Sequence, residues 1–89
     1  MMQSKDIDHN SFFVNGQTYR LDDIVEIIGM SKEGQNIVKE NGFKWILSAI
    51  SGNLERAWFT SLETKKTIKV THIVDSTFVV FPLMEEGDL

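Results

Sequence analysis

The stretch YRLDDIVEIIGMSKEGQNIVKENG, residues 19–42, decides the fold because it has two incompatible interpretations. One interpretation is helical, since four apolar positions have the spacing i, i+3, i+4 and i+7 of a single helix face: Leu21, Ile24, Val25 and Ile28. The other is a strand, because residues 24, 25, 27 and 28 are all β-branched and Ile27 lies off that helix face. The stretch therefore predicts either two helices joined by a turn or a strand followed by a loop.

The second half of this stretch predicts a short helix in either case. Ser31 is a favourable N-cap for the segment Lys32–Asn41, and Gly42 is a favourable terminator. Gly34 weakens this helix without preventing it. We therefore expect one short helical insertion over about residues 32–41.

The rest of the chain predicts β-structure. Asn15-Gly16 accepts positive φ at both positions, and the β-favouring segments SFFV and QTYR flank it, which indicates an N-terminal hairpin. Further on, FKWILSAI, RAWFTSL and TIKVTHIV are rich in aromatic and β-branched residues, and the turn signals SGN, ETKK and DST separate or follow them. A last strand, FVVF, ends at Pro82, which lacks a backbone N–H. We expect each of these segments to be a strand of a mainly β meander.

Length and composition predict a single small domain. The chain has 89 residues, of which 42% are apolar and 25% charged, as is typical of a globular protein. We expect a β-rich domain over residues 11–84, between a flexible N-terminus (1–10) and a flexible acidic tail (85–89). Because there is no cysteine and no apolar run as long as a membrane span, we expect a soluble protein of the reducing cytoplasm with no membrane partner.

Two segments resemble the small β-barrels of the KOW, Tudor and Src-homology-3-like group. DDIVEIIGMSKEGQNIV is similar to the first strand and glycine-bearing loop of these barrels, and GFKWIL with RAWFTSL is similar to their paired strands. The resemblance covers roughly residues 19–70 and implies a small barrel. It has no second glycine near Ile37, so a role with RNA polymerase or the ribosome is not implied. In style the chain also resembles small accessory proteins of tailed phages.

The helical interpretation resembles a helix-turn-helix protein, with GMS as the turn and Lys32–Asn41 as the recognition helix. That resemblance implies DNA binding. Gln35 departs from it, because this position of the recognition helix normally carries a buried apolar residue. We prefer the barrel and keep the helix-turn-helix domain as an alternative.

The residues of catalytic chemistry are sparse. His72 and Asp75 have the spacing H-x-x-D, but Asp75 begins a turn signal and two ligands do not make a metal site. No nucleophile motif, phosphate-binding glycine loop or pair of carboxylates is evident. We expect no enzyme activity, no metal and no cofactor.

Two groups of residues are candidates for binding a partner. The aromatic residues Trp45, Trp58, Phe59 and Phe43 form either an exposed platform or the core. The lysines Lys44, Lys65, Lys66 and Lys69 form either a nucleic-acid contact or a solvated surface. Both faces of FKWILSAI are apolar, so we expect part of that surface to be covered or left open.

These observations predict a non-enzymatic protein-interaction module, in particular a small regulator or inhibitor that acts by occupying a protein partner. A homodimer through an edge strand is one form of this hypothesis, with FVVF as the strand. The alternative is a nucleic-acid-binding domain that uses the lysines and stacking tryptophans. The net charge of −4 favours the protein partner, because nucleic-acid affinity depends largely on basic residues.

Overall fold

The computed structural model describes residues 11–83, so the expected flexible segments, 1–10 and 85–89, lie outside the described residues. The described part forms the following elements in chain order: β1 (Ser11–Val14), β2 (Gln17–Arg20), β3 (Ile24–Gly29), α1 (Lys32–Asn41), β4 (Lys44–Ile50), β5 (Arg56–Ser61), β6 (Thr67–Thr71) and β7 (Phe78–Pro82). The mainly β prediction is confirmed, as is the short helix.

The strands form two antiparallel sheets. One is the β1–β2 hairpin, in which Asn15 and Gly16 adopt φ of 52° and 80°, as the Asn-Gly turn predicts. The other has five strands in the order β6-β5-β4-β3-β7. Its edge strands, β6 and β7, do not pair with each other. No closed barrel is found among the described residues, and the Src-homology-3-like fold stays a prediction.

The deciding stretch is a strand followed by a helix. β3 alternates as a strand should, since Val25 and Ile27 are fully buried while Ile24 and Ile28 are each 43% exposed. The helix-turn-helix prediction is wrong, because its first helix is this strand. The barrel interpretation extends this strand over residues 20–29, but it begins at Ile24 because Asp22 turns the chain with a φ of 75°.

The helix α1 ends where its capping residues predict. The amide of Gly34 donates to Oγ of Ser31 (3.0 Å), and Gly42 ends the helix with a φ of 87°.

The helix also lies very close to β3. A Cβ on Gly29 would come within 2.1 Å of the backbone nitrogen of Gln35. Glycine at the end of β3 therefore permits the close approach of strand and helix.

One face of the five-stranded sheet carries the hydrophobic core. Buried side chains from all five strands line this inner face, and the hairpin contributes Phe12, Val14 and Tyr19 to the same cluster. Ile37 and Val38 of the helix pack against it as partly buried residues. The hairpin and the helix thus both cover the inner face. The opposite face of the sheet is called the outer face below.

The segment TIKVTHIV was expected to be one strand, but β6 ends at Thr71. The carboxylate of Asp75 accepts a hydrogen bond from the amide of Thr71 (2.8 Å), and Ile73 adopts a φ of 68°. The amide of Ile73 then donates to the carbonyl of Phe13 (3.1 Å), which ties this turn to the hairpin. The prediction failed here because contacts with the turn and the hairpin outweigh the β-propensity of the apolar residues.

Candidate functional site

The outer face carries a group of apolar side chains on β3, β4 and β7, called the apolar half below: Ile24, Ile28, Ile46, Val79 and Phe81. Strand register makes them neighbours, since Ile24 is opposite Ile46 and Ile28 is opposite Val79. Ile24 and Ile28 are each 43% exposed and Phe81 is 42% exposed. Exposed apolar side chains that adjoin one another on a sheet face are typical of a binding surface.

The other side of the outer face, on β5, β6 and the later part of β4, is polar. Hydroxyl groups cross three strands there, from Oγ of Ser48 to Oγ1 of Thr60 (3.0 Å) and on to Oγ1 of Thr67 (3.1 Å). Trp58 lies on the same side, half-buried and directly opposite Lys69. The outer face is therefore divided into an apolar half and a polar half.

Two of the four predicted aromatic contacts belong to the core. Trp45 and Phe59 are both fully buried. The indole Nε1 of Trp45 donates to the carbonyl of Gly42 (2.9 Å). The centroid of the Phe59 ring lies 6.3 Å from that of Phe12, in an edge-to-face arrangement. A partner cannot touch these rings while the domain is folded. Trp58 and Phe43 keep exposed surface, so only these two stay candidates. The structure does not bring the four rings together.

The predicted lysines are exposed but do not form one group. Lys44 lies opposite Glu26 in the middle of the outer face, while Lys69 lies beside Trp58 on β6. Lys65 and Lys66 occupy the turn between β5 and β6. The positive charge is therefore spread over three places.

The H-x-x-D pair has a structural explanation. Both carboxylate oxygens of Asp75 hold the turn that leads into β7, because they accept from the amides of Thr71 (2.8 Å), Thr77 (2.9 Å) and Phe78 (3.2 Å). This is the turn role that the sequence indicated for Asp75. Within residues 11–83, no group of three or more His, Cys, Asp or Glu side chains is placed to hold a metal ion.

A cleft of about 430 Å³ borders the apolar half, where the corner between β2 and β3 meets the end of β7. Its lining includes Thr18, Asp22, Asp23 and Pro82, so it is more polar than a typical small-molecule pocket. A carboxylate oxygen of Asp23 is already bonded to the amide of Arg20 (2.8 Å) at this corner. The cleft is therefore better understood as part of the turn than as a ligand site.

The edge of β7 is partly occupied by the hairpin. The amide of Val80 donates to Oδ1 of Asn15 (2.8 Å), and its carbonyl accepts from the hydroxyl of Tyr19 (3.4 Å). Pairing of FVVF with a second copy would have to displace both contacts. The hairpin therefore competes with the edge-to-edge dimer predicted from the sequence, because it already binds the backbone at the centre of that strand.

Comparison of the chain with models of protein families, with curated proteins and with solved structures finds no match. The part of the chain that the structure describes has no helix long and apolar enough to cross a membrane.

Proposed function

We propose that this protein is a non-enzymatic interaction module that binds a protein partner through the apolar half of the outer face. Binding would occupy the partner's surface, as a small regulator or inhibitor does. One observation carries the proposal: Ile24, Ile28 and Phe81 are each more than 40% exposed, and Phe81, beside Glu26, is a diagonal neighbour of both isoleucines on the same face of the sheet.

The energetics of this surface suit binding. Burial of apolar area contributes roughly 25 cal/mol per Å², so each of these side chains has affinity to contribute once a partner covers it. The sheet holds them in place, because β3 lies between two strands and Glu26, between Ile24 and Ile28, is paired in register with β4 on one side and β7 on the other. Little conformational entropy is then lost on binding, which favours affinity.

The test compares two variants with the same new charge. Ile28→Asp places a carboxylate in the apolar half, and Thr67→Asp places one on the polar half of the same face. Each protein is immobilised and exposed to an extract of the native host, and bound proteins are identified by mass spectrometry. Proteins held by wild type and by Thr67→Asp should be lost from Ile28→Asp. Equal retention by both variants would contradict the proposal, provided that circular dichroism shows both to be folded.

A second candidate function rests on the polar half. Trp58 is half-buried, so part of its ring is open to stack on a base. Two cationic side chains flank it on the outer face: Lys69 is directly opposite on β6, and Arg56 precedes it by two residues on the same side of β5. An aromatic ring flanked by cations is typical of single-stranded nucleic-acid contacts. We therefore also propose a test with short oligonucleotides at low salt. Because Trp45 is fully buried, a fluorescence change would report Trp58, and Lys69→Glu should remove it.

A further inference from the structure

A row of four side chains crosses the outer face of the sheet from the β7 edge to the end of β5. The strand registers place Phe81 beside Glu26 and Glu26 beside Lys44. The amide of Leu62 donates to the carbonyl of Lys44 (3.1 Å), and Leu62 follows Thr60 by two residues, so alternation places it on the same face. The row is therefore apolar, acidic, basic and apolar in order.

This order is symmetric about the line that separates β3 from β4. Glu26 and Lys44 are neighbours on either side of the line, and an apolar residue lies beyond each of them. The central pair of the next row is symmetric as well, because Ile24 of β3 is directly opposite Ile46 of β4. A surface with such symmetry is complementary to a second copy of itself.

We propose that the outer face binds a second copy of this chain, face to face, around a twofold axis that runs parallel to the strands between β3 and β4. Rotation about this axis lays each position of β3 that pairs with β4, from Ile24 to Glu26, over its β4 partner in the second copy. Glu26 then faces Lys44 of the second copy, and Ile24 faces Ile46. Phe81 likewise faces Leu62. This inference rests on the proposed function, because it names the partner of the same surface.

Electrostatics favours this arrangement over other contacts between copies. The chain has a net charge of −4, so two copies repel each other at long range. The central row is neutral by contrast, since it contains one carboxylate and one ammonium group side by side. Across an interface such charges mainly set register and exclude wrong alignments, while the apolar side chains supply affinity.

Packing geometry is compatible with the proposal. Two sheets that stack face to face lie about 10 Å apart with their strands within about 30° of each other. Copies related by the proposed axis have their strands aligned in this way. A contact through the face also leaves the bonds of Val80 to Asn15 and Tyr19 intact, whereas pairing along the β7 edge would break them.

The test uses single charge reversals and their mixture. In Glu26→Lys the central row has two positive charges, and in Lys44→Glu it has two negative charges. Each variant alone should repel its own copy and sediment as a monomer of 10.2 kDa, whereas wild type should sediment at twice that mass. An equimolar mixture of the two variants should regain the doubled mass, because each lysine of one chain then faces a glutamate of the other.

The mixture distinguishes loss of the interface from loss of folding. Neither variant chain has a Glu–Lys pair within its own central row, so only contact between the two chains can bring opposite charges together. Lys69→Glu is the matched control, because it makes the same change on the same face but two strands from Lys44. This variant should remain a dimer. A mixture that stays monomeric, or a Lys69→Glu protein that dissociates as Lys44→Glu does, would overturn the proposed axis.

The dimerisation experiment can fail or succeed independently of the capture experiment that tests the proposed function. A wild-type protein that stays monomeric at the highest soluble concentration rules out the second copy, whatever Ile28→Asp does to the capture of host proteins. Conversely, dimerisation that depends on Glu26 and Lys44 supports the second copy even when no host protein is captured. Sedimentation needs only the pure protein, whereas the capture experiment needs an extract of the native host.

Discussion

The side-chain Oδ1 of Asn15 accepts a 2.8 Å hydrogen bond from the backbone amide of Val80, which lies 65 residues further along the chain. Asn15 serves two purposes at once, because its φ of 52° also forms the turn between β1 and β2. The bond attaches the hairpin to the edge of the five-stranded sheet. It satisfies a backbone donor that an edge strand would otherwise leave open to pairing.

Replacing Asn15 with glycine should separate these two roles. Gly keeps the positive φ of the turn but removes the acceptor, so we expect a loss of about 1 kcal/mol in the free energy of unfolding. Hydrogen exchange at the amide of Val80 should become faster. Asn15→Asp retains an acceptor oxygen and is the control, in which that amide should stay protected. Unchanged exchange at Val80 in Asn15→Gly would contradict the role assigned to this bond.

Replacing Gly34 with alanine should destabilise the protein, although the same change in an ordinary helix stabilises it by up to about 1 kcal/mol. A Cβ on Gly34 would come within 2.2 Å of the carbonyl oxygen of Thr77, and this backbone atom cannot move aside cheaply. We expect a loss of roughly 3 kcal/mol in the free energy of unfolding, measured with urea.

Gly52 is the matched control for this substitution. A Cβ there would meet no atom within 4 Å, so Gly52→Ala should change the free energy of unfolding by less than about 0.5 kcal/mol. Equal stability of the Gly34 and Gly52 variants would show that the helix can move away from the turn before β7.

Local signals made the hairpin and the helix predictable. Asn15-Gly16 defines its turn through the φ angles of two adjacent residues, and Ser31 and Gly42 cap α1 through atoms within one helical turn. Alternation along FKWILSAI also predicted apolar side chains on both faces of its strand, part of which would be covered or left open. These features depend on neighbours in the sequence, so they can be derived without the fold.

The order of strands could not be predicted in this way. β3 pairs with β7, which is close to the other end of the described chain, and only this pairing brings Phe81 beside Glu26. The burial of Trp45 and Phe59 likewise depends on which face the hairpin covers. The members of the apolar half were therefore missed, because they become neighbours only through contacts between residues distant in sequence.

Alanine substitutions in β3 should distinguish the faces of the strand. Val25 and Ile27 are both fully buried, so replacing either should cost roughly 2–4 kcal/mol in the free energy of unfolding. Ile28 is 43% exposed, and Ile28→Ala should cost less than about 1 kcal/mol. The free energy of unfolding should be measured at low protein concentration, where self-association adds no stability. A silent Ile27→Ala would contradict the strand and restore the helical interpretation.

Stability at high pH should depend on Tyr19, which is the only tyrosine of the chain. Burial raises the pKa of its hydroxyl to about 12, and the nearby carboxylate of Asp23 adds to the increase. In the unfolded chain the pKa is about 10. Above that pH the unfolded state releases a proton that the folded state retains, so the free energy of unfolding falls as the pH rises. The contribution of Tyr19 should therefore be constant below about pH 10 and be lost between about pH 10 and 12.

Tyr19→Phe isolates this effect from the lysines that titrate in the same range. The variant loses only the long 3.4 Å hydrogen bond to the carbonyl of Val80, so it should stay folded and be nearly as stable as wild type at neutral pH. The difference in the free energy of unfolding between wild type and variant should move in favour of the variant as the pH passes from about 10 to about 12. Ultraviolet absorbance of tyrosinate follows the same proton directly. Ionisation near pH 10 in the folded protein would show that Tyr19 is solvated, and that the hairpin does not cover the edge of β7 as the structure indicates.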